Sequence, residues 1–108
     1  MDKLSFLIKN VFIGLENLNN GFDSEFIYYF SKDDFEIVLN RIEKLGIEIL
    51  GIEPWKNGEF YDVVTSEDFN SDSEWYRKAF LKFKQSGENL QYAASYKISS
   101  TLLNNQKS

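Results

Sequence analysis

Asn57-Gly58 constrains this chain more than any other pair of residues. It lies in the loop Pro54–Gly58, between two strand-like runs, Ile47–Glu53 (IEILGIE) and Glu59–Thr65 (EFYDVVT). Asn-Gly accepts the positive φ angles of a tight turn whose twist matches that of the flanking strands. Runs joined so closely pair antiparallel, because a parallel neighbour needs a long crossover. A hairpin therefore sits near the middle of the chain, and the remaining elements must be built around it.

On each side of the hairpin lies a helix with readable ends. Ser31 is an N-cap, with Asp33 and Asp34 favourably placed against the helix dipole. Phe35, Val38, Leu39, Ile42 and Leu45 form that helix's apolar stripe, and Gly46 supplies a left-handed stop. Ser71-Asp72-Ser73-Glu74 matches a capping box ahead of a second helix, Trp75–Ser86, whose inward residues are Trp75, Tyr76, Ala79, Phe80 and Phe83. Gly87 ends it. Two further runs read as strands. Glu25–Phe30 (EFIYYF) is rich in aromatics, and in Leu90–Ser99 the residues Tyr92, Ala94, Tyr96 and Ile98 alternate with polar or small ones.

The resulting order is β-α-β-β-α-β. Its simplest arrangement is an α+β two-layer sandwich of the ferredoxin-like plan, a four-stranded antiparallel sheet with both helices on one face. An extra helix precedes it, where Leu4, Leu7, Ile8, Val11, Phe12, Leu15 and Leu18 recur at helical spacing. Phe6 and Ile13 fall on the opposite side of that helix. Residues 1–99 read as a single domain and 100–108 (STLLNNQKS) as a frayed polar tail.

Composition removes several function classes. The chain has no cysteine and no histidine, so disulfides, thiolate metal sites, Cys nucleophiles and imidazole bases are absent. Asp68-Phe69-Asn70-Ser71-Asp72 opens like a calcium loop, but Ser73 stands where Gly is required and Ala79 where Glu is required. No phosphate-cradling or nucleophile-elbow motif occurs. The expectation is a protein that is not an enzyme and uses neither metal nor cofactor. The run of apolar residues at the N-terminus is broken by Lys9 and Asn10, and no stretch is long enough to span a membrane, so the expected location is cytoplasmic.

With 17 acidic against 12 basic residues, the formal charge is −5. That argues against nucleic acid as partner, and the Arg77, Lys78, Lys82, Lys84 cluster is a thin footprint on an acidic chain. The acids are unevenly spread. Residues 59–74 hold Glu59, Asp62, Glu67, Asp68, Asp72 and Glu74 with no Lys or Arg, and Trp55, Phe60, Tyr61 and Phe69 lie among or just before them. Such residues are ordinary solvated strand and loop positions, or a surface for a basic protein, where charge steers the encounter and an aromatic fills a pocket. Trp55, Tyr61, Asp62, Glu67, Asp68 and Asp72 are the candidate partner-binding residues.

In size, charge and the stretch EPWKNGEFYDVVTSEDFNSDSEWY, the chain resembles the small acidic immunity proteins that bacteria pair with secreted toxins. The resemblance implies an inhibitor that occludes a basic, nuclease-like toxin in a one-to-one complex. A second reading is a regulatory or small-ligand-binding domain acting as a homodimer, which the ferredoxin-like plan accommodates.

Overall fold

The structure is a computed structural model, and residues 1–104 are described. It is an α+β fold: an antiparallel sheet of four strands, with helices packed mainly on one face. The elements in chain order are α1 (Lys3–Asn10), α2 (Lys32–Leu45), β1 (Glu48–Lys56), β2 (Glu59–Phe60), β3 (Val64–Thr65), a 3-10 turn (Ser66–Phe69), α3 (Trp75–Gln85), β4 (Gln91–Lys97) and α4 (Ser100–Asn104).

Strand β1 is the hub of the sheet. One of its edges pairs along its length with β4, from Glu48↔Lys97 to Trp55↔Gln91. Its other edge pairs with β2 at Trp55↔Phe60 and with β3 at Ile52↔Val64. The hairpin turns at Asn57 and Gly58, with φ of 51° and 79°. Its return strand is split in two, because the Tyr61 and Asp62 N–H groups both donate to the Pro54 carbonyl, at 3.1 and 3.2 Å. Two successive donors on one acceptor push Tyr61–Val63 out of the ladder as a bulge.

The strand order departs from the ferredoxin-like expectation. That plan puts Glu25–Phe30 inside the sheet, with neighbours on both sides. Here the run makes one bridge, Phe30↔Tyr92, at the outer edge of β4. The reason is local competition for its backbone. The Asn17 side chain accepts from Tyr29 N–H, Leu18 N–H donates to the Tyr29 carbonyl, and the Asn19 amide donates to the Ile27 carbonyl. With that side occupied, the run cannot be an interior strand, and β4 takes the free edge of β1.

The α2 cap and stop form as the sequence implies. The Ser31 hydroxyl accepts from Asp34 N–H, and Gly46 adopts φ 73°. The start of α3 differs. Asn70 and Ser71 both take left-handed conformations, which carries Ser71 away from the helix, and Glu74 is the N-cap without a side-chain bond. The cap-like acids act nearby instead. The Asp68 carboxylate accepts from Thr65 N–H at 2.8 Å, and the Asp72 carboxylate accepts from Glu74 N–H at 2.7 Å.

The core lies between sheet and helices. Phe35 and Phe80 meet edge to face at 5.2 Å, and both pack on Tyr92 of β4. Val38, Leu39 and Ile42 of α2, Trp75, Ala79 and Phe83 of α3, and Ile49 and Ile52 of β1 complete it. Arg77 clamps the helices together, donating to Glu36, Asn40 and Glu43 of α2. Helix α1 ends at Asn10, earlier than a helical plot through Leu18 implies. Phe6 is fully buried with Leu7, Val11 and Phe12, whereas Ile13 is exposed. Leu102 and Leu103 of α4 pack against the core; residues 105–108 of the expected tail lie outside the described residues.

Candidate functional site

The six candidate residues divide among three places. Trp55, near the end of β1, faces away from the helices, because residues paired across a sheet share a face and Trp55 pairs with Gln91 whereas Pro54 pairs with Tyr92. Its ring packs on Phe22, Tyr29 and Phe60. Its indole N–H donates to Glu53 at 2.6 Å. Trp55 is half-buried and belongs to an aromatic group that fastens the segment before α2 to the outer sheet face.

Tyr61, Asp62, Glu67 and Asp68 lie on the β2–β3 edge. The bulge swings Tyr61 toward the helix layer, where its ring meets Phe83 edge to face at 6.4 Å. Asp62 and Asp68 border one shallow cleft with Val64, Phe69, Lys82 and Phe83. Phe60, Tyr61 and Val63 are 57%, 40% and 50% exposed, a high apolar exposure for consecutive turns of one edge. Glu59, Asp62 and Glu67 are exposed as well, and no Lys or Arg among the described residues is within ion-pair distance of them.

Asp72 occupies a different cleft, near the start of β1, lined also by Glu43, Glu48, Leu50, Ser66 and Trp75. Lys78 sits 2.6 Å from its carboxylate. That ammonium, with the Glu74 N–H, holds the Asp72 carboxyl below the usual range. Asp72 and Asp68 thus serve the loop and its turn, while Asp62 and Glu67 are uncommitted to any cation.

The outer sheet face holds a constellation absent from the sequence reading. Tyr29 is fully buried, and its hydroxyl donates to Asp23 at 2.5 Å with Glu53 at 3.4 Å. Burial first, then the Asp23 hydrogen bond and the Glu53 charge, drive the Tyr29 hydroxyl far above its usual range. Beside it runs a slot of about 150 Å³ lined by Ile27, Tyr29, Gly51, Glu53, Val63, Ala93 and Ser95. Glu53 joins Asp23 and Tyr29 only through the tertiary fold, so no local spacing signals the group.

Among the described residues, no three His, Cys, Asp or Glu side chains converge as a metal site requires, and no helix is long and apolar enough to cross a membrane. Comparison with known proteins adds no relative: no family model, curated protein or solved structure matches the chain.

Proposed function

We propose that the chain is a protein-binding inhibitor of the immunity type, which neutralises a basic, nuclease-like toxin by covering its active site or the patch beside it. The supporting observation is the β2–β3 edge, where exposed Phe60, Tyr61 and Val63 alternate with Glu59, Asp62 and Glu67 that have no internal cation. Occlusion needs no chemistry from the inhibitor. The carboxylates accelerate encounter with a basic surface, and the apolar residues anchor the complex and lower its off-rate.

The test is co-purification of the tagged protein from its native host, followed by surface plasmon resonance on the purified partner. A basic partner is expected. Asp62→Lys with Glu67→Lys slows association by roughly tenfold or more, and the rate, which falls with salt for the parent, rises with salt for the double variant. Tyr61→Ala acts mainly on the off-rate. An acidic partner, or unchanged kinetics in all these variants, refutes the proposal.

A further inference from the structure

The outer-face slot contains a preorganised carboxylate with a free oxygen. Glu53 Oε2 accepts from the Trp55 indole at 2.6 Å, which fixes the carboxylate, and the Tyr29 hydroxyl lies 3.4 Å from it with its single proton directed to Asp23. Oε1 has no hydrogen-bond partner among the described residues, and no Lys or Arg there is within ion-pair distance of Glu53. Apolar Ile27 and Val63 also line the slot, and both are partly exposed, at 39% and 50%. Its floor is made of small residues: Gly51 pairs with Ser95, and Glu53 with Ala93, so these four share one face. Gly51 keeps the floor low because it has no side chain to stand on that face.

We propose that this slot receives one lysine side chain of a basic partner protein, its stem against Ile27 and Val63 and its ammonium on Glu53. The proposal rests on the basic-partner reading above and adds to its apolar edge a site for one defined partner side chain. Charge complementarity selects the occupant. The surrounding segment, residues 16–74, carries 15 acidic and 4 basic residues. Lysine is favoured over arginine because one free carboxylate oxygen suits a compact ammonium, whereas a guanidinium fork draws its advantage from two. Val63 borders both this slot and the Asp62–Asp68 cleft, so an anchored lysine lies against the acidic edge. Trp55 then acts as a positioning residue, holding the carboxylate that meets the partner.

The experiment is an NMR titration of the full chain with Nα-acetyl-lysine methylamide, with Nα-acetyl-norleucine methylamide as the uncharged control. The lysine probe should shift the Gly51, Ala93 and Ser95 amides, and norleucine should bind roughly tenfold more weakly. Glu53→Gln keeps an acceptor for the Trp55 indole and should weaken the lysine probe by a similar factor. Ser95→Leu, which fills the slot from its exposed floor and leaves Glu53 in place, should abolish the shifts. Equal shifts from both probes, or no effect of either substitution, overturn the proposal. Lysine shifts confined to the Asp62–Glu67 edge overturn the slot and leave the inhibitor reading standing, which the co-purification experiment decides separately.

Discussion

Replacing Phe80 with alanine tests the placement of α3 and the core beneath it. Phe80 is 1% exposed and meets Phe35 at 5.2 Å and Tyr92 at 5.1 Å, both edge to face. The Lys84 ammonium sits 4.4 Å from its ring centre. Truncating a buried phenylalanine costs about 3–5 kcal/mol, the sum of lost transfer energy and the cavity left behind. Aromatic pairs contribute about 0.5–1.5 kcal/mol beyond area, so two of them put the expected loss in the upper half of that range. A chain of this length has a total stability of roughly 5–15 kcal/mol, so Phe80→Ala removes a large fraction. Urea denaturation followed by tryptophan fluorescence measures it, since Trp75 lies in the same core. Phe80→Leu serves as a volume control and should lose much less. A Phe80→Ala stability within about 1 kcal/mol of the parent refutes the placement of α3 over Tyr92.

The Arg77 clamp predicts an acid-sensitive step. Its hydrogen bond to Glu43 is the main cause holding that carboxyl below its ordinary 4.5, so the stabilisation is intact above about that pH and is lost as pH falls through the lower folded-state value. Arg77→Ala should cost about 1–2 kcal/mol at neutral pH, the partly exposed geometry limiting it, and should flatten the pH dependence of stability below that point; an unchanged slope refutes the linkage. Gly46 and Gly58 both hold left-handed conformations, but only at Gly58 would a Cβ meet a neighbour, Phe22 at 3.3 Å. Gly58→Ala should therefore cost more than Gly46→Ala, which should lose about 1 kcal/mol; thermal denaturation of the two variants compares them directly, and the reverse ranking refutes the Phe22 contact.

The parts of this fold that were legible in the sequence are those whose cause is local. Ser31, Gly46 and Asn57-Gly58 each dictate a backbone conformation within a few residues, and the structure has those features where the sequence puts them. The strand order was not legible because it depends on a contest settled elsewhere. Asn17, Leu18 and Asn19 satisfy one side of the EFIYYF backbone, and nothing in the run itself reveals that. Phe6 faces the core because α1 stops at Asn10, so the apolar residues beyond it do not share the helix's periodicity and cannot define its inner face. For the candidate site, the acidic and aromatic density was visible, but its division was not. The bulge at Tyr61–Val63 and the left-handed pair Asn70-Ser71 decide which acids face solvent and which tie down a loop. The Asp23–Tyr29–Glu53 group joins a local pair to a residue 24 positions beyond Tyr29, so it is completed only by the tertiary fold.

The split return strand also bears on self-association. A continuous Glu59–Thr65 strand with Phe60 and Val63 exposed would offer a long row of free N–H and C=O groups to another copy, a template for edge-to-edge polymerisation. The double donation to Pro54 breaks that row into two residues on each side of a bulge. Glu59, Asp62 and Glu67 set like charges along it, so two copies approaching edge to edge repel each other. Both features disfavour edge-to-edge pairing along an edge whose apolar side chains are exposed among the described residues. Straightening the bulge would restore the continuous row of backbone groups that templates such pairing.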